Sequence, residues 1–184
     1  MNIHQLSVSI DERQDRLLLK LNTQAGQEFR FWLTRRMVIR LLPAMDQSVV
    51  KLEVAQPGMV ASDPPAQHML TEFKRNAFLQ TADFSTPYAQ TPQALPMGEE
   101  PMLVTDVQLS LQPNGHLQMV FQKKNEGAPQ SCQLNLNPPL VHGMIHLIRQ
   151  AIEKVEWGIL SPQPVAATDK AAVSAEPASV PYKH

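Results

Sequence analysis

Arg30, Trp32, Arg35, Arg36 and Arg40 lie close together in the chain, most of them in the stretch EFRFWLTRR (28–36). Guanidinium groups grip carboxylates and phosphates in a planar, two-pronged geometry, and an indole ring offers a flat face for stacking. Such a set suits recognition of an acidic group. Arg35 and Arg36 fall at the first positions of an expected helix, where each exposed cation costs roughly 0.3–1 kcal/mol against the positive end of the helix dipole. Three arrangements would account for them. In one, Arg30 stacks on Trp32 and the arginines pair with Asp11, Glu12 or Asp15, their stems covering apolar surface. In another, the helix start and two guanidiniums bind phosphate or the acidic segment of a partner. In the third, Trp32 is a stacking platform for single-stranded nucleic acid.

Other reactive residues form no strong set. His142 and His146 are spaced for one metal in HGMIH, but Gly143 stands where a zincin carries its Glu. With Arg149 and Glu153 they are expected on the polar face of a helix, as a solvated pair. No nucleophile elbow, P-loop or dinucleotide fingerprint is present. Cys132 is the only cysteine, so no intramolecular disulfide forms, and the strand pattern points it inward. The adjacent pairs Asp11–Glu12 and Glu99–Glu100 belong to turns, where carboxylates are solvated. The sequence thus assigns no catalytic residue, metal ligand or cofactor.

Alternation and helical spacing supply the elements that would carry these residues. HQLSVSI (4–10), DRLLLKLN and EFRFWL read as an antiparallel meander with Leu17, Leu19, Leu21, Phe29, Phe31 and Leu33 inward. Thr34 caps a helix running to about Leu52, with a kink or break expected at Pro43. Residues 55–64 read as a loop. A second amphipathic helix over 66–84 is expected to pack Met69, Leu70, Phe73 and Ala77 on the core. In ADFSTPY, Asp83, Ser85, Thr86 and Pro87 suit a turn, and Phe84 and Tyr88 anchor a Pro-rich crossing. MLVTDVQLSL, with Val107, Leu109 and Leu111 on one face, then HLQMVFQ and SCQLNL make a second meander. Asn137 caps the last helix, which Trp157 and Gly158 close. Residues 161–184 read as a disordered tail.

The two halves share one plan. Leu17, Leu19 and Leu21 match Leu117, Met119 and Phe121; Phe29, Phe31 and Leu33 match Cys132, Leu134 and Leu136; Thr34 matches Asn137. Arg30, Trp32, Arg35 and Arg36 then correspond to Gln133, Asn135, Pro138 and Pro139. The expected class is α+β: two β-β-β-α pseudo-repeats (4–54 and 102–158) within one domain (1–160), joined by the helix and loop of 55–101. An unpaired edge strand would allow a homodimer.

The chain has 184 residues, 16 Lys and Arg against 17 Asp and Glu, and a net charge of −1. No global basic field draws in nucleic acid or an anionic membrane, so either role needs a local patch. No leader-like start or transmembrane run is seen, and the expectation is a soluble cytoplasmic protein.

EFRFWLTRR, ADFSTPY, PMGEEPMLV and the closing helix with Trp157 resemble a set of uncharacterised bacterial proteins over residues 1–160. The resemblance implies no activity, ligand or site residue. In architecture alone, two meander-plus-helix units are similar to the Whirly and PUR-repeat single-strand-binding proteins, which have four strands per repeat against the three counted here. The reading is a non-catalytic cytoplasmic binding or adaptor protein that engages an acidic group of a protein partner; the alternative is a single-stranded nucleic-acid binder.

Overall fold

The computed structural model describes residues 2–55, 63–89, 94–124, 129–155 and 157. Their order is β1 (Ile3–Asp11), β2 (Arg16–Thr23), β3 (Glu28–Thr34), α1 (Arg35–Val54), α2 (Pro64–Thr81), β4 (Met102–Leu103), β5 (Asp106–Leu111), β6 (Leu117–Lys123), β7 (Gln130–Leu136) and α3 (Pro138–Glu153). The class is α+β, with two sheets and three helices among the described residues. Much of the expected 55–64 loop, Gly158 and the whole 161–184 tail lie outside the described residues.

The first sheet has the order β1-β2-β3-β4 and the second β5-β6-β7. Strict alternation in β2 and β3 turns Leu17, Leu19, Leu21, Phe29, Phe31 and Leu33 into the core, because successive side chains of a strand point to opposite faces. Leu17 pairs with Leu33, Leu19 with Phe31 and Leu21 with Phe29. In the second sheet Leu117 pairs with Leu136, Met119 with Leu134 and Phe121 with Cys132. The apolar faces of the two sheets meet, with the rings of Phe31 and Phe121 4.8 Å apart. Each long helix also reaches across: α1 packs on β5 and β6 as well as β3, and α3 packs on β1 as well as β7. Thr34 and Asn137 cap α1 and α3, accepting from Met37 N and Leu140 N.

Several expectations are corrected. MLVTDVQLSL is not one strand. Met102–Leu103 adds a parallel β4 to β3, and the chain then crosses to β5. Leu111 is exposed at the hairpin end, while Val107 and Leu109 pack on the core. α1 runs through Pro43 without a break. The carbonyl that loses its partner there belongs to Ile39, an exposed residue, so water can satisfy it. α3 ends at Glu153, and Trp157 packs into the core beyond it.

α2 differs most. Met69 and Phe73 are 74% and 71% exposed, and Thr71 is its one buried residue. α1 and α3 already close the core, so α2 forms an outer layer against their polar flanks. Its inward side is set by Leu70, Thr71, Lys74 and Phe78, rotated away from the stripe that hydrophobicity alone selects.

Candidate functional site

Alternation also builds the outer face of the first sheet. Pairing sets its outward residues in rows: Gln5–Asn22–Glu28, Ser7–Lys20–Arg30, Ser9–Leu18–Trp32–Leu103 and Asp11–Arg16–Thr34. Leu18, Trp32 and Leu103 are half-buried and make an apolar stripe. Arg16 lies in the row on one side of the stripe, and Lys20 and Arg30 in the row on the other.

The first row is covered by Tyr88 and Ala89 of the connection that follows α2. Tyr88 Oη donates to Glu28 Oε2 at 3.1 Å, and Ala89 N donates to Gln5 Oε1 at 3.0 Å. Gln5 N donates to Asn22 Oδ1 at 2.8 Å, and Asn22 Nδ2 returns a bond to Gln5 Oε1 at 3.1 Å. Glu28 is buried and takes a 2.5 Å bond from Arg30 Nε, while Arg30 Nη1 donates to Glu99 O at 3.2 Å. Burial first, and then the Glu28 charge, pushes the Tyr88 phenol above its ordinary range. At the start of the connection Asp83 accepts from the hydroxyls and backbone N–H groups of Thr86 and Ser85. Those bonds, Thr86's hydroxyl first, hold its carboxyl well below the usual carboxylate range.

The five sequence-selected residues are not brought into one cluster. Arg30 ties the connection to the sheet. Trp32 carries a stacked cation, but it is Arg16, whose guanidinium carbon lies 5.4 Å from the ring centroid. Sequence reasoning missed Arg16, although the hairpin register places it diagonally from Trp32, within side-chain reach. Arg35 Nη2 donates to Trp157 O at 2.9 Å, and Nη1 lies 3.9 Å from the Asp15 carboxylate. Arg36 and Arg40 stand exposed one turn apart on α1. Among the described residues neither has a hydrogen-bond or ion-pair partner.

The two histidines are not a solvated pair. His142 is 3% exposed, and its Nε2 lies 2.8 Å from Oε1 of Glu53, itself 2% exposed. The other oxygen, Glu53 Oε2, is buried without a partner among the described residues. His146 is half-buried, with the Phe84 ring tilted against it at 4.8 Å between centroids. The physical reason is the position of α3, which buries Val141 through Ile145 in succession between the sheets, α1 and α2. Phe78 of α2 packs beside Gly143, where an added Cβ would meet its ring at 3.6 Å, an ordinary van der Waals contact. Nearby, Arg149 Nη2 pairs with Asp46 Oδ2 at 2.8 Å. Burial nevertheless outweighs that cation and raises the Asp46 carboxyl above its ordinary value.

Among the described residues no group of three His, Cys, Asp or Glu side chains is placed to hold a metal, and no helix is long and apolar enough to cross a membrane. An open hollow of about 330 Å³ lies beside Glu99, Glu100 and Lys123, and one of about 640 Å³ beside Asn2, Thr23 and Gln27. Comparison with known proteins finds no protein family, no curated protein and no solved structure that matches the chain.

Proposed function

We propose that this is a non-catalytic, cytoplasmic binding or adaptor protein that engages an acidic group on a protein partner. The docking face is the outer side of the first sheet together with the exposed cations of α1. The observation that carries this reading is the half-buried stripe Leu18–Trp32–Leu103 flanked by Arg16, Lys20 and Arg30. An apolar strip beside guanidinium and ammonium groups suits a segment that mixes carboxylates with apolar side chains. Arg30 and Arg35 already serve internal bonds. Arg16, Lys20, Trp32, Arg36 and Arg40 are therefore the contacts that a partner gains.

The test is capture of partners from bacterial lysate by the full-length protein, with nuclease present. Retention by wild type and loss by Trp32→Ala and by Arg36→Gln/Arg40→Gln supports the reading. Equal retention by all three would sink it.

A single-stranded nucleic-acid role is the second reading. It is favoured by one observation, a partly exposed indole on an open sheet face with a cation over its ring. It requires Trp32 fluorescence quenching by oligonucleotides and a steep loss of affinity with salt.

We also read the two meander-plus-helix units as an internal repeat. The equivalent pairings in β2–β3 and β6–β7, and the matching Thr34 and Asn137 caps, support it.

A further inference from the structure

We infer that the protein forms a two-fold symmetric dimer by pairing the free edge of β7 with β7 of a second copy. This stands independently of the docking face on the first sheet. Among the described residues, β7 has β6 on one side and no strand on the other. Helix packing differs between the edge strands: α3 lies against β1 more extensively than against β7, and α1 lies against β5. β3, the third strand of the first sheet, gains β4 through the pairs Phe31–Met102 and Trp32–Leu103. β7, the third strand of the second sheet, has no such neighbour among the described residues.

β7 also lacks the features that keep edges apart. Proteins blunt exposed edges with charges, proline, bulges or short strands. Gln130–Leu136, QSCQLNL, contains no charged residue and no proline. Its pairing with β6 runs from Leu117–Leu136 to Lys123–Gln130 with no register shift. β1, by contrast, carries a shift between Ile3 and Gln5 and ends on Asp11.

The strand is self-complementary. An antiparallel pair with its two-fold axis at Gln133 sets Gln133 opposite Gln133, Ser131 opposite Asn135 and Cys132 opposite Leu134. Ser131, Gln133 and Asn135 are exposed and uncharged and can bond across the axis. Cys132 and Leu134 are buried and lie on the core side of the same strand. The contact uses one patch twice, which is the condition for a closed dimer rather than a filament. A single strand pair buries less than the ~1,200 Å² of a standard interface, so association in roughly the micromolar range is expected.

The experiment is sedimentation velocity on the full chain across the micromolar range. Wild type should be a dimer that dissociates on dilution. Ser131→Lys/Gln133→Lys/Asn135→Lys places like charges opposite one another and should weaken association by roughly tenfold or more. The corresponding triple Glu variant should do the same. An equimolar mixture of the two should recover the dimer, because every facing pair is then of opposite charge. Circular dichroism unchanged from wild type shows that the substitutions leave the fold intact. As an independent readout, Gln133→Cys should form a disulfide-linked dimer on mild oxidation. A monomeric wild type at all concentrations, or a dimer that both triple variants leave untouched, overturns the inference.

Discussion

Glu53 of α1 and His142 of α3 meet at 2.8 Å with almost no exposure, and the second Glu53 oxygen has no partner among the described residues. The contact joins helices that belong to opposite halves of the chain. A Glu side chain held in such a place depends on its one bond. Leaving a buried polar group without its partner costs about 1–3 kcal/mol, whereas replacing both partners by apolar groups of similar shape can be near neutral. His142→Phe should therefore destabilise strongly. Glu53→Leu/His142→Phe should recover most of the loss. Denaturant midpoints of the two singles and the double form the cycle, and additive losses would show that the residues do not act as a pair.

The arginines should separate into structural and free. Arg30 neutralises buried Glu28 and bonds Glu99 O. Arg30→Gln should cost about 2 kcal/mol, since it removes a hydrogen bond to a buried charge. Arg36→Gln/Arg40→Gln should leave stability within about 0.5 kcal/mol, as ordinary surface changes do. Thermal unfolding of the variants checks both, and equal effects would contradict the division.

Tyr88 predicts the alkaline behaviour. Its phenol is raised above the ordinary 10.0 by burial and by Glu28. The unfolded chain then loses this proton first as pH rises. The contribution of Tyr88 is complete below about pH 10 and is lost as pH climbs above it. Tyr88→Phe should give a flatter alkaline limb in denaturant midpoints measured across that range. It should also cost stability at neutral pH, because Glu28 loses a donor.

Cys132 should be unreactive in the native protein. It is 7% exposed, and burial pushes its thiol up to about 11. The thiolate is the reacting species, so alkylation by iodoacetamide at neutral pH should be slow until denaturant is added. Fast native labelling would show that β7 opens readily.

Pro43 sits inside α1, where it removes one backbone bond. Pro43→Ala should restore the bond to Ile39 O and raise stability by about 1–3 kcal/mol, within the interior penalty of proline. A fall in melting temperature would mean that the proline shapes a bend the packing needs.

The sequence by itself determined the strands and helices that alternate cleanly. In β2, β3, β6 and β7 a period of two leaves one solution for which face is buried, and the leucine, phenylalanine and methionine side chains on that face are in the core, Leu18 alone among the leucines facing out. Thr34, Asn137 and Asp83 act as the local chemistry requires, because caps and turns depend on neighbours a few residues away. Tertiary structure alone decided the rest. Met69 and Phe73 face out because α1 and α3 close the core and α2 lies outside them. His142 is buried because α3 is enclosed on several sides, a fact that its own periodicity does not hold. Arg16 reaches Trp32 through cross-strand register rather than through proximity in the chain. Met102–Leu103 left the expected strand to pair with β3, since long-range backbone pairing depends on where the other sheet lies.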